Sequence, residues 1–223
     1  MNLSTRLGKS LGFRLSHLGE RLGLHVLVYN PWIMMEFHRH ALREAPLVIP
    51  VVCELYPNVR SVLDVGSGTG VFASEFARRG LQSTAIENSK HGRRMAAKQG
   101  VVCLPFDLRK NPPTPINGQF DLVYCFEIAE HMPAELGDSL IDFLTSLCTR
   151  VVFTAAHPGQ GGVGHINEQP REYWIKRFMD RGFVLQREES ERLRAGFKEA
   201  GCAFWFVENG LVFTPRVRER VSR

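Results

Sequence analysis

Apolar positions along this chain follow two different periods, and the point where the period changes divides it. Leu3, Leu7, Leu11, Leu15, Leu18 and Leu22 recur at steps of three and four, while Arg6, Lys9, Arg14 and Arg21 fall mostly elsewhere on the wheel, which predicts an amphipathic helix. "YNPW" (29–32) marks a turn, and residues 33–55 predict further helix interrupted near Pro46 and Pro50. From Ser61 onward the texture changes to short β-branched runs alternating with helical segments. These are "SVLDV", "VFASEFARRG", "QSTAIE", "KHGRRMAAKQG", "VVCLPFD", "FDLVYCFE", "LGDSLIDFLTSL", "RVVFTAAH", "REYWIKRFMDRG", "FVLQRE", "ERLRAGFKEAG" and "CAFWFVENGLVFTP". The strand runs are continuously apolar, as strands buried on both faces are, so the pattern predicts an α/β fold: a parallel sheet covered by helices on both sides. The organisation expected is an N-terminal helical extension (1–45), one α/β domain (46–214) and a basic tail (215–223).

Composition sharpens this picture mainly through where the charge lies. A chain of 223 residues with 44% hydrophobic and 23% charged residues supports one sizeable core. The net charge of +5 comes from the ends: residues 1–25 and 215–223 each carry four cations against one carboxylate, which leaves the body slightly acidic. Such a body offers no broad phosphate-binding field, which speaks against a nucleic-acid partner. Cys53, Cys103, Cys125, Cys148 and Cys202 are odd in number, widely spaced and mostly set in apolar runs, so they are expected to be buried thiols in a reducing, cytoplasmic compartment. No apolar run reaches the ~18 residues of a membrane span. For the basic N-terminal helix three readings stand: packing on its own domain or a partner, lying on a membrane surface, or acting as an Arg-rich transit segment.

Two glycine clusters compete as ligand loops. "SVLDVGSGTGVFASEF" runs strand, Gly66, Gly68, Gly70, helix, the arrangement that lets backbone N–H groups at a helix start approach an anionic group. Glu87 ends the next strand, where an acidic residue suits the two ribose hydroxyls. "HPGQGGVGHINEQP" (157–170) contains a literal G-x-G-x-x-G at Gly159, Gly161 and Gly164, but irregular residues separate it from the helix that Pro170 opens.

"LDVGSGTG", the acidic Glu87, "LPFDL" with Asp107, and "FDLVYCFEIAEHMP" together resemble the class I S-adenosylmethionine-dependent methyltransferases over roughly residues 60–214. The resemblance implies a Rossmann-like, seven-stranded, mostly parallel sheet whose long last strand, "CAFWFVENGLVFTP", is antiparallel. It implies S-adenosylmethionine as cofactor, with Asp64 and the backbone of Gly66, Ser67, Gly68 and Gly70 on the methionine part. Glu87 would take the ribose hydroxyls, Asp107 with Phe106 or Leu108 would flank the adenine, Phe126 and Glu127 would close the sulfonium side, and Asn88 counts among the cofactor-binding residues.

Under that fold the 157–170 loop follows strand five on the carboxyl edge of the sheet and faces the methyl acceptor. Its glycines suit either a mobile, closing loop or turns with positive φ. His165, free to swing after the glycines, is the preferred general base, with His157 and His131 as further catalytic candidates and Asn167, Glu168 and Gln169 as hydrogen-bonding groups. "EIAEHMP" also resembles the E-x-x-E-H of small-RNA 2′-O-methyltransferases and some quinone O-methyltransferases, which implies a Mg²⁺ site of Glu127, Glu130, His131 and His165. "NPPT" (111–114) is read as a turn. The function expected is O-methylation of a small polar acceptor, a sugar, phenol or other metabolite. The alternatives are a metal-assisted nucleic-acid 2′-O-methyltransferase and a non-catalytic binding subunit of the same fold.

Overall fold

The computed structural model describes residues 3–22, 24–109, 116 and 118–216. The "NPPT" turn and all of the basic tail beyond Arg216 lie outside them. Seven strands form one sheet: β1 (Ser61–Val65), β2 (Gln82–Glu87), β3 (Cys103–Pro105), β4 (Leu122–Phe126), β5 (Val151–Thr154), β6 (Phe183–Leu185) and β7 (Leu211–Pro215), in the order β3-β2-β1-β4-β5-β7-β6. The first five pair in parallel, while β7 runs antiparallel to both β5 and β6. Neighbouring residues of one strand enter different cores, as a period of two requires. Val62, Leu122, Tyr124 and Val152 pack under α3 (Pro31–Leu55), α4 (Val71–Arg78) and α8 (Arg187–Glu199). Leu63, Val123, Cys125 and Phe153 pack under α6 (Gly137–Ser146) and α7 (Arg171–Asp180), which contribute Leu140, Ile141, Trp174 and Phe178. Helix α5 (Lys90–Lys98) sits beside α4 through Ala73, Ala85 and Ala96. All five cysteines are free thiols, three of them buried. No described helix is long and apolar enough to cross a membrane.

Two sequence expectations are corrected. The helix expected to break near Pro46 and Pro50 is continuous, so residue 45 falls inside an element. The two prolines lie one turn apart on the side away from the core, where water can satisfy the carbonyls left without an intrahelical donor. Ala45, Val48, Ile49 and Val52 stay buried on the opposite side. Secondly, "CAFWFVENGLVFTP" is not one long strand: Phe204–Asn209 is helix α9, and only Leu211–Pro215 is strand. Phe206 wedges among Phe72, Phe126 and Phe197, which outweighs the β-propensity of the aromatic run.

Helix α1 (Leu3–Leu22) packs on α2 (His25–Val28) and the start of α3 through its small residues. Gly12, Ser16 and Gly19 are buried, and a Cβ at Gly12 would collide with Trp32. Leu11, Leu18 and Leu22 of the leucine stripe are exposed, so α1 packs on its own domain, one of the three readings open for it, but not through those leucines. The "YNPW" turn becomes the start of α3: Asn30 caps it by accepting from Trp32 N–H (3.0 Å) and Ile33 N–H (3.3 Å), with Pro31 in the first turn.

Candidate active site

The carboxyl ends of β1 and β4 are adjacent but send their helices to opposite faces, which opens a crevice in the way parallel sheets do. Gly66, Gly68 and Gly70 line it with φ of 77°, 54° and 75°, a left-handed path that L side chains rarely take. Glu87 holds this loop, accepting from Gly68 N–H (2.9 Å) and Ser89 N–H (2.6 Å). Burial raises its pKa, against the pull of those two hydrogen bonds. Asp64, at the end of β1, is 4% exposed and its Oδ2 has no hydrogen-bond partner. Burial pushes its carboxyl up to about 8, with the Glu87 carboxylate adding to the rise. The Tyr124 hydroxyl and the Ala73 N–H offset part of that burial, but the carboxyl stays short of solvation at Oδ2, so an ammonium brought beside it would recover some of what was lost.

The remaining cofactor candidates are placed less uniformly. Ser67 is buried, its Oγ 3.3 Å from Cys103 Sγ, whereas Asn88 is exposed and its carbonyl accepts from Arg93. Phe106 is buried against Phe143, with Leu108 packed on the same core. Asp107 closes a two-pronged pair with Arg109 (2.8 and 2.9 Å). Phe126 packs among Phe72, Tyr124 and Phe206. Glu127 takes φ 52°, the one non-glycine among the described residues in the left-handed region, a strain of about 1–3 kcal/mol of the kind that gathers at functional sites.

Beyond β4 and β5 lies a second constellation. Glu130 is fully buried and neither carboxylate oxygen has a hydrogen-bond partner. Burial drives its pKa well up, and the nearby Glu127 carboxylate adds to the rise. His165 Nε2 lies 4.0 Å from Glu130 Oε1, and the rings of His131 and His165 meet edge-on at 4.9 Å. Among the described residues Glu130, His131 and His165 form a group whose ligand atoms all lie within 4.8 Å of one another. Glu127 is turned elsewhere, accepting from Gln160 Nε2 (2.8 Å) and Asn209 Nδ2 (3.2 Å). Burial raises its pKa too, against those hydrogen bonds.

The 157–170 loop is organised by a residue the sequence made inconspicuous. Glu168 accepts from Gly159 N–H (2.8 Å), Gly161 N–H (2.7 Å) and His165 Nδ1 (2.8 Å). Burial alone would raise its carboxyl, but these hydrogen bonds outweigh it and hold it below the usual value. His165 is therefore held between Glu168 and the face of Gly162, and Gly159, Gly161 and Gly164 take positive φ, as the turn reading of these glycines expects. Ile166 and Asn167 N–H clamp the loop onto the Glu130 carbonyl (2.9 and 3.0 Å), and Gln169 donates to Asn167. His157 is half-exposed and pairs with Glu208 on α9 (3.2 Å), beside a cleft of about 370 Å³ also lined by Gln169, Arg171 and Asn209.

Several residues here escaped the sequence reading. Asn209 donates to both Glu127 and Gln160 and ties α9 to the crevice. Gly92 lets α5 approach the glycine loop, since a Cβ there would strike the Gly68 carbonyl and crowd Glu87 and Met34. A glycine inside a helical run was the available signal. The roof comes from the N-terminal helices: Tyr29 and Phe37 contact the His131 ring, and His38 Nδ1 lies 3.0 Å from Thr69 Oγ1 of the glycine loop.

Comparison with known proteins agrees with this geometry. The ubiquinone biosynthesis O-methyltransferase of Psychrobacter cryohalolentis is 27% identical over 138 residues, 55% of this chain and 50% of that protein. The protein of the same name from Chromobacterium violaceum is 35% identical over 79 residues, 33% of this chain and 34% of that one. The chain thus spans half or less of the length of these curated relatives. Among solved structures, an amino pentose methyltransferase from Micromonospora echinaspora with bound S-adenosylmethionine superposes with a TM-score of 0.58 at 18% identity, covering 78% of this chain and 90% of that one. A family model described as a methyltransferase domain matches residues 37–201, from the roof helix through the last helix before α9. The chain therefore belongs to the class I S-adenosylmethionine-dependent methyltransferases.

Proposed function

We propose that the protein transfers the methyl group of S-adenosylmethionine to a hydroxyl of a small molecule, a phenol or a sugar. The observation that carries this reading is the buried Glu130 carboxylate beside His131 and His165 on the carboxyl edge of the sheet. The names of the relatives, ubiquinone biosynthesis O-methyltransferase and amino pentose methyltransferase, support the acceptor class.

In this reading Asp64 pairs with the ammonium of the methionine part, held over the backbone of Gly66, Ser67, Gly68 and Gly70. Glu87 and Asn88 face the ribose, Phe106, Asp107 and Leu108 the adenine, and Phe126 and Glu127 border the sulfonium. The sulfonium supplies its own leaving group, so the protein's task is to align the acceptor oxygen with the methyl carbon and take its proton. With its Nδ1–H fixed on Glu168, His165 presents Nε2 as the basic nitrogen. As the O–C bond forms and the S–C bond breaks, the hydroxyl proton passes to that nitrogen, and Glu168 and Glu130 stabilise the imidazolium. His131, whose Nδ1–H donates to the Gly164 carbonyl (3.1 Å), orients the hydroxyl.

The same three side chains fit a divalent cation. A buried carboxylate without hydrogen-bond partners and two imidazoles whose Nδ1 atoms are engaged by second partners could supply three ligands, a set that suits a borderline ion such as Zn²⁺ or Fe²⁺ better than the oxygen-seeking Mg²⁺. Bound there, such an ion would acidify a coordinated hydroxyl, and His165 would serve as ligand instead of base. Incubation with S-adenosylmethionine and a panel of catechols, phenols and sugars, followed by S-adenosylhomocysteine release and mass spectrometry, tests the proposal. Activity lost on chelation and restored by Zn²⁺, Fe²⁺ or Mg²⁺ selects the metal route, and activity indifferent to chelation selects the base. Methyl appearing only on nitrogen or carboxylate, or no binding of S-adenosylhomocysteine at all, overturns the O-methyltransferase reading.

A further inference from the structure

Helix α1 is mounted with its small residues inward and its leucines outward. Gly12, Ser16 and Gly19 face the body, and the Asn30 amide donates to the Gly12 carbonyl (2.9 Å) to hold the helix there. The leucine stripe lies roughly 100° round the helix from that buried face. Leu11, Leu18 and Leu22 are 55%, 46% and 58% exposed, and nothing among the described residues covers them. Leu24, between α1 and α2, and Trp32 and Met35, at the start of α3, are exposed as well. Exposed Arg14 and Arg21 border the stripe on the side away from the body. Over residues 1–25 the sequence carries four cations, Arg6, Lys9, Arg14 and Arg21, against the single carboxylate of Glu20.

We infer that this face docks the protein on an anionic membrane surface. An apolar stripe bordered by arginines is the arrangement that lies in the plane of a lipid interface: leucines enter the acyl boundary and guanidiniums reach back to the headgroups. Trp32, next to the stripe and half in water, has the amphipathic ring that favours the headgroup layer. Charge also weighs against one arrangement of a second copy, the antiparallel pairing of two stripes, which would bring the exposed Arg14 and Arg21 rows together. The inference is independent of the acceptor's identity and of any metal.

The test is co-sedimentation of the full chain with vesicles of phosphatidylcholine alone and of phosphatidylcholine mixed with phosphatidylglycerol, at two salt concentrations. Binding to the mixed vesicles, weakened by salt and by omitting the anionic lipid, is expected. Leu11→Gln and Leu18→Gln should each lower the partition coefficient about tenfold. Arg14→Gln and Arg21→Gln should each lower it about fivefold. All four positions lie on the outer surface, so the variants should keep wild-type affinity for S-adenosylhomocysteine, measured as the check that they fold. Failure of the wild type to bind mixed vesicles, or binding unchanged in all four variants, overturns the inference. So does a wild-type dimer that the leucine substitutions dissociate in the absence of vesicle binding.

Discussion

Binding of S-adenosylhomocysteine at neutral pH should release close to one proton, and Asp64 should be its source. In the unliganded protein this carboxyl is buried without a partner for Oδ2 and titrates at about 8. At pH 7 it is therefore about 0.9 protonated. An ammonium placed beside a carboxylate lowers its pKa by roughly 1–3 units. A fall of about 2 units leaves the group about 0.1 protonated in the complex, so about 0.8 proton leaves on binding. Calorimetry in buffers of different ionisation enthalpy reads this number directly, as the slope of apparent binding enthalpy against buffer enthalpy with the sign of release. Affinity should improve by up to tenfold per unit as pH rises from about 6 to 8. Asp64→Asn should bind more weakly and show a slope near zero, whereas Glu87→Gln should keep most of it. A wild-type slope near zero, or an equal slope in Asp64→Asn, refutes the reasoning. The same shift carries a stability sign. The folded pKa lies above the unfolded value of 3.8, so the folded form binds the extra proton and the unliganded protein loses stability as pH rises from about 4 to 8.

Glu130→Gln removes a buried carboxylate whose folded pKa is raised, so it should stabilise the protein by about 1–3 kcal/mol at pH 8 but not at pH 4, by urea denaturation. The same variant should lower methyl transfer by about 10²-fold or more. Glu168→Ala frees His165 and two loop N–H groups together, so kcat should fall about 10- to 100-fold with the dissociation constant for S-adenosylhomocysteine nearly unchanged; equal losses in both would show that the loop also builds the cofactor site. Gly92→Ala drives a methyl into the Gly68 carbonyl and should weaken cofactor binding by about tenfold or more while leaving Tm within a few degrees, and unchanged calorimetric affinity would mean that α5 yields.

What could be read from the sequence follows from how local each feature is. The β1 strand, the three glycines and the acidic end of β2 lie within 27 residues, and each is specified by its neighbours, so pattern alone located the crevice. The strand-helix alternation likewise predicted the layered fold, and the antiparallel β7 agrees with the family resemblance. Elements went astray where distant packing overrode local preference. Residues 204–209 have strand-forming aromatics, yet Phe206 is claimed by Phe72 and Phe197, more than a hundred residues apart in the chain. Helix α3 tolerates two prolines because the opposite face is held against α4 and α8. The leucines of α1 left packing, membrane-surface and transit readings open, and the direction of packing was decided by glycines that admit Trp32 and the α2 backbone.

The second constellation shows the limit most plainly. The histidines of the 157–170 loop attract attention because imidazole is versatile, and its glycines leave mobility and fixed turns both open because nothing in the sequence says what they hydrogen-bond to. In the folded chain the glycine N–H groups converge on one carboxylate, that of Glu168, and the same carboxylate fixes the His165 tautomer. Glycine here buys a tight wrapping of backbone donors and not freedom of movement. The loop then borrows its second anchor, the Glu130 carbonyl, from a turn more than thirty residues earlier. That anchor sets the His165 ring facing the Glu130 side chain, which has no hydrogen-bond partner of its own. An ionised Glu130 at such a place costs stability, which is why burial drives its pKa well up, and no hydrogen bond in the loop offsets that cost at either oxygen. In the proposed reading the ionised form is stabilised by what enters the site, a proton carried on His165 or a cation, and either would bring an acceptor hydroxyl to the same three side chains.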